Sequence, residues 1–149
     1  GEGTDAEKPA QVREPLPETG SVNEPRFLSR AEIEHFHESS LAMFGGSAGL
    51  RDEAGFQSAI DQPKNTYYYG CGDLFDIAAA YAFHLAQSQC FIDGNKRTGM
   101  ACALNFLKAN GVRHNFGLFE LYDIMIAFAE HRMEKADLAK LFRDAAGNA

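Results

Sequence analysis

The chain has 149 residues, 45% hydrophobic and 23% charged, with a formal charge of −7, enough for one domain with its own core and too little for two. The acidic balance excludes a general nucleic-acid binder, which needs a basic surface. No apolar run reaches the roughly 18 residues of a membrane span, and no charged-then-apolar start resembles a signal peptide. The 3 cysteines, Cys71, Cys90 and Cys102, are odd in number and unpatterned. They read as reduced thiols of a cytoplasmic protein.

In chain order, residues 1–25 hold four of the five prolines, many Glu and Thr, and little apolar periodicity. Such a segment buries too little surface to offset its ordering entropy, which predicts a disordered N-terminal tail. A domain is expected over residues 27–146. Its first helix opens on a capping box, Ser29 with Glu32, carries the stripe Ile33, Phe36, Leu41 and Phe44, and stops at Gly45-Gly46. A shorter helix is expected from Asp52 to about Asp61, stopped by Pro63. Thr66, Tyr67, Tyr68 and Tyr69, bounded by turn residues, read as a short β-like stretch.

Two helices, Leu74 to about Ser88 and Asn95 to Ala109, are apolar on nearly every face, and the second stops at Asn110-Gly111. A helix that is apolar all round must be buried on all sides, so this pair forms the centre of the fold. Leu118 to about His131 and Ala136 to about Ala145 supply two more helices. The fold class is therefore all-α.

Between the two buried helices lies a polar turn, Gln89 to Gly99, with a charged helix start. The first turn of a helix favours acids by roughly 0.3–1 kcal/mol each. Lys96 and Arg97 instead place two cations there, offset in part by Asp93. A bound phosphate turns that cost into a gain, because N–H groups, dipole and cations then converge on one anion. Gly94 allows the backbone to approach such a ligand closely. The alternative reading, a capped surface turn whose Lys and Arg stay in water, remains open at this point.

The run Phe91-x-Asp93-Gly94-Asn95-Lys96-Arg97 resembles the signature of the Fic/Doc family, H-x-F-x-(D/E)-G-N-(G/K)-R. Leu50-Arg51-Asp52-Glu53, Pro63-x-Asn65-Thr66-Tyr67-Tyr68, Asp73-Leu74-Phe75 and Phe106-Leu107-x-x-Asn110-Gly111 resemble its Doc (death-on-curing) branch. The resemblance implies a helical bundle with a short strand-like flap that uses ATP and Mg²⁺ to modify a hydroxyl of a target protein. Most members transfer AMP, whereas the Doc branch, often a toxin paired with an antitoxin, transfers phosphate. Asp93 would hold Mg²⁺, a hard oxygen ligand for a hard cation. The backbone of Asp93, Gly94 and Asn95 would line the anion hole, with the Asn95 side chain on a phosphate oxygen, and Lys96 and Arg97 would neutralise the transferred group. Phe91 would anchor the loop. Thr66 to Tyr69 would be the flap that adds as a strand to the target; as residues alone, they equally read as aromatics covering one end of the bundle.

Three departures stand out. Lys96 replaces the second glycine, and Met100 stands where AMP-transferring members often carry a second arginine; both point to the Doc branch. The third is Gln89, at the position of the family's catalytic histidine. An amide can orient a hydroxyl but cannot take its proton, which implies a weakened transferase or, alternatively, an inactive nucleotide- or phosphate-binding module that works through protein partners. His84 precedes Gln89 by five residues, well off the same helix face. His35 and His37 read as solvated, His114 and His131 carry no motif, and Cys90 reads as a buried thiol. No self-inhibitory helix motif is visible, so an antitoxin would be a separate chain.

Overall fold

The structure is a computed structural model and describes residues 24–113 and 118–147. The tail as far as Asn23, and His114, lie outside the described residues. Six helices follow one another: α1 (Arg30–Phe44), α2 (Glu53–Tyr68), α3 (Leu74–Ser88), α4 (Asn95–Ala109), α5 (Leu118–Ala129) and α6 (Lys135–Gly147). The described residues contain no strand, only an isolated antiparallel bridge between Leu50 and Phe91. The architecture is all-α, as the patterning predicts.

α3 is the central rod. Ile77, Ala78, Ala79, Ala80, Tyr81 and Ala82 are buried in unbroken succession, because α2, α4 and α6 all pack against this helix. Small side chains let the neighbours close in. At Gly99 a β-carbon would stand 2.7 Å from the Ala82 carbonyl oxygen, so α4 crosses α3 almost backbone to backbone. That contact lies one turn beyond the start of α4 and fixes the polar turn between the two helices.

α1 begins with the expected capping box, Ser29 accepting from the Glu32 N–H and Glu32 returning the bond to Ser29 N–H. The chain ahead of it is tied down as well. The Arg26 N–H donates to Asn110 Oδ1 at 2.8 Å, and the Leu28 N–H donates to the buried Tyr81 hydroxyl at 3.0 Å.

α2 corrects the sequence reading twice. It does not stop before Pro63 but runs through it to Tyr68. The proline ring removes one helix N–H, yet it is fully buried and continues the inward stripe of Phe56, Ala59 and Ile60. Thr66 Oγ1 donates to the Gln62 carbonyl at 2.9 Å and steadies the turn that follows. Thr66, Tyr67 and Tyr68 are therefore helical rather than β-like. Tyr67 packs edge-on to Phe27, 6.1 Å between centroids, and covers the end of the bundle.

Candidate active site

The polar turn is built from both flanking helices and from α1. α3 ends on Gln89 in the left-handed region (φ 48°, ψ 40°), and α4 begins after Gly94, also left-handed at φ 79°. Phe91 between them is buried. Its ring stacks on His37 at 3.8 Å with an interplanar angle of 10°, and lies 5.0 Å from Phe56. The expected anchor is thus in place.

Asn95 has a structural part in the turn. Its Oδ1 accepts from the Phe91 N–H at 3.0 Å, and its Nδ2 donates to the Phe91 carbonyl at 2.9 Å. The side chain closes the turn on itself, and its first contribution is to hold the loop's shape. The N–H groups of Asn95, Lys96 and Arg97 have no partner among the described residues. Gly94 supplies no side-chain cap, and the first turn holds no acid. The amides that a free helix start exposes are therefore open.

Arg97 does not splay into solvent. Its Nε donates to Ser40 Oγ at 3.0 Å, its Nη2 to the Gly45 carbonyl at 3.1 Å, and the guanidinium sits over the Phe44 ring at 5.2 Å. Lys96 has no partner among the described residues. Asp93 is exposed; its Oδ2 accepts from the Ser47 N–H at 2.8 Å, and its carbonyl accepts from His37 Nε2 at 2.8 Å. A carbonyl only accepts, so His37 carries its proton on Nε2.

These groups line one cleft of about 500 Å³, together with Arg51, Gln89, Ile92, Gly94 and, from α5, Met125 and Ile126. The size lies in the range of small-ligand sites, roughly 300–1,000 Å³. Among the described residues lining it, Arg51, Lys96 and Arg97 share the cleft with one carboxylate, Asp93. On a chain of formal charge −7 this is a locally basic hollow. No group of three His, Cys, Asp or Glu side chains that could cage a metal occurs among the described residues. Asp93 Oδ1, without a partner among those residues, fits the one-carboxylate manner in which Mg²⁺ is held beside phosphates and water.

Sequence reasoning missed two contributors. His37 is buried and holds the loop rather than being solvated; it lies four residues after Ile33 on the same stripe, where the periodicity points inward. Arg51 enters because Leu50 pairs with Phe91, with the Arg51 N–H donating to the Cys90 carbonyl at 2.7 Å and the Ile92 N–H to the Gly49 carbonyl at 3.0 Å. The Tyr67–Tyr69 stretch does not line the cleft. The backbone that pairs with the turn is Gly49 to Arg51 instead.

Among the described residues, no histidine lines the cleft beside Gln89. His84 Nε2 accepts from Lys135 Nζ at 2.9 Å, away from the cleft, and burial with the Lys135 charge pushes its pKa down to about 4. The Cys90 thiol is buried and burial pushes it up, which leaves it inert. Met100, also buried, cannot reach a ligand in the cleft.

Residues 27–107 match the Fic/DOC family. Over 125 residues the chain is 30% identical to the protein named Protein kinase doc of Escherichia phage P1, covering 83% of this chain and 98% of that protein. Over 89 residues it is 37% identical to the protein named Toxin Doc of Mycolicibacterium smegmatis, covering 58% of this chain and 66% of the relative. With the helix order, the turn and these relatives in agreement, the chain belongs to the Fic/Doc family, on its Doc branch.

Proposed function

We propose that the cleft holds the phosphates of ATP with Mg²⁺, and that the protein is a Doc-type toxin that transfers phosphate, or AMP, to a hydroxyl of a target protein at a rate lowered by Gln89. The observation that carries this reading is the open start of α4: unpartnered amides and Lys96 facing the same cleft as Arg97 and Arg51. Two cations in a first turn oppose the helix dipole and cost roughly 0.3–1 kcal/mol each. An anion seated there reverses that sign and gains charge-assisted hydrogen bonds besides.

Each residue then has a task. Lys96 and Arg97 neutralise charge on the phosphates, and Ser40 and the Gly45 carbonyl hold Arg97 in position to do so. Asn95 and His37 keep the turn in the shape that presents its amides. Asp93 would hold Mg²⁺, which when bound draws the phosphate oxygens together and offsets their charge. The acceptor oxygen forms its bond to phosphorus as the bond to ADP, or to pyrophosphate for AMP transfer, breaks. Its proton must leave as well. Gln89 can orient the hydroxyl but cannot accept that proton, so it passes to water and the step loses roughly 10²–10⁴-fold.

Thr66, Tyr67 and Tyr68 lie in α2, so they offer a target no strand edge, which favours another segment for the target-aligning role. It passes to Gly46–Arg51, which pairs with the motif turn on one side and is exposed on the other. The second reading, a non-catalytic nucleotide-binding module acting through partners, draws on the same cleft and on the missing base.

Calorimetry with ATP and Mg²⁺, followed by incubation of γ- and α-labelled ATP with cell lysate, tests both. Label from the γ position alone marks phosphate transfer, and label from the α position marks AMP transfer. Binding without either label favours the second reading, and absence of binding removes both.

A further inference from the structure

The arginines of this chain sort by their partners. Arg26, Arg30, Arg132 and Arg143 each hold a carboxylate. Among the described residues Arg51 and Arg97, the two in the cleft, hold no carboxylate: their hydrogen bonds go to neutral oxygens, and Arg97 also lies over the Phe44 ring. The remaining described arginine, Arg113, lies beyond the opposite end of α4. On a chain with 21 acidic residues, two guanidinium groups without a counter-ion in one hollow mark a place reserved for an outside anion.

Arg97 belongs to the family motif; Arg51 does not. Its backbone is pinned to the turn by the bond to the Cys90 carbonyl. Its side chain lies across the end of α3, Nη2 donating to the Gln89 carbonyl at 3.0 Å, Nε to the same oxygen at 3.2 Å, and Nη2 reaching Gln89 Oε1 at 3.5 Å. These contacts engage one edge of the fork. Nη1 has no partner among the described residues, and the group is exposed on the cleft wall beside Gln89. Capping the last carbonyls of α3 accounts for the Nε edge. It does not account for a second edge without a partner among the described residues, on a side chain that lines the same cleft as Lys96.

We propose that Arg51 is a third phosphate-binding residue of this cleft, contacting the part of a polyphosphate chain nearest Gln89 while Lys96, Arg97 and the α4 amides hold the rest. The proposal rests on the nucleotide reading of the cleft and names a residue that the motif leaves out. A planar fork suits this task, because it can keep the Gln89 carbonyl on one edge and take a phosphate oxygen on the other.

The test is calorimetry of ATP with Mg²⁺, and separately of inorganic tripolyphosphate, on the wild-type chain, Arg51→Gln, Arg51→Lys and the control Lys108→Ala. Arg51→Gln is expected to lose about tenfold or more in affinity for both ligands, the scale of a lost charge-assisted bond. Arg51→Lys should recover part of this, and Lys108→Ala, exposed near the far end of α4, should change little. In the wild-type chain, the Arg51 Nε–H resonance should shift on titration with tripolyphosphate and saturate with the calorimetric affinity, a readout independent of whether any variant folds. If the wild type binds neither ligand, the cleft reading itself is lost and Arg51 with it. If the wild type binds both, but Arg51→Gln binds as tightly and the resonance stays still, Arg51 is only a cap on α3. A loss confined to ATP would place Arg51 against the nucleoside and likewise overturn the assignment.

Discussion

The central helices α3 and α4 begin in opposite ways. α3 opens on a closed end: Asp73 accepts from the Asp76 N–H, Asp76 returns the bond, and Arg143 of α6 covers both carboxylates. α4 opens on Gly94 with no side-chain cap, no acid in its first turn, and Lys96 and Arg97 in their place. α1, α2 and α6 each carry an acid in the first turn, so the uncapped start is peculiar to α4 among helices whose first turns are described. Where the chain needs only stability it satisfies its helix starts internally. Where it leaves one unsatisfied, next to a cleft with three cations, the proposed partner is an outside anion.

The largest test of that contrast is chemical. If the open end still presents a nucleotide correctly, Gln89→His should restore a base beside it and raise transfer to the target by about 10²–10⁴-fold, read with labelled ATP. The backbone change is small, because histidine, like glutamine, is a non-glycine residue held at φ 48°. Unchanged transfer with intact ATP binding would show that more than the base has been lost, and would favour the binding module.

The closed end is expected to fail by ordinary stability. Asp73→Ala removes the cap of α3 and the carboxylate that Arg143 holds at 2.9 Å. About 1–2 kcal/mol should be lost in urea denaturation, mostly from the cap, since the ion pair is half exposed. Nucleotide affinity should not follow, because Asp73 is not in the cleft. A parallel loss of ATP binding would mean that the two ends are not separable.

α6 also grips α3 farther along, where Lys135 Nζ donates to His84 Nε2. Burial and the Lys135 charge lower the His84 pKa to about 4 in the fold, against about 6.5 unfolded. The unfolded chain therefore takes the proton first. This contribution to stability is complete above about pH 6.5 and is lost as the pH falls toward 4. The melting temperature should drop across that window, and His84→Gln should flatten part of the slope without altering ATP affinity. An unchanged slope would remove His84 from the account.

Much of this contrast was legible in the residues. The limits of α3 and α4 followed from two apolar helices with a polar turn between them, and the turn's charge against the dipole pointed to an anion. What escaped detection depended on contacts distant in sequence. Pro63 and three successive tyrosines look like a break followed by a strand, but burial of the proline ring and of Tyr67 carries α2 through both. His37 has polar neighbours along the chain, yet the helix turns it onto Phe91, and only strict periodicity from Ile33 would have placed it there. Arg51 stood only in a stretch, Leu50 to Glu53, that resembles the Doc branch, with nothing in it to place its side chain at the turn. It reaches the site through the backbone pairing of its neighbour Leu50 with Phe91, far along the chain.

The smallest expected effect sets stability against binding at the open end itself. Lys96→Glu replaces a cation in the first turn of α4 with an acid, as α1, α2, α3 and α6 already have. Lys96 has no partner to lose among the described residues, so the dipole term alone should act and stabilise the fold by a few tenths to about 1 kcal/mol. Affinity for ATP should fall at the same time, because a carboxylate now faces the phosphates across the cleft. A variant that folds more tightly and binds less is the signature of a helix start kept unfavourable for a ligand. If Lys96→Glu instead lowers stability, the lysine already serves the fold, and the contrast between the two helix starts loses its functional meaning.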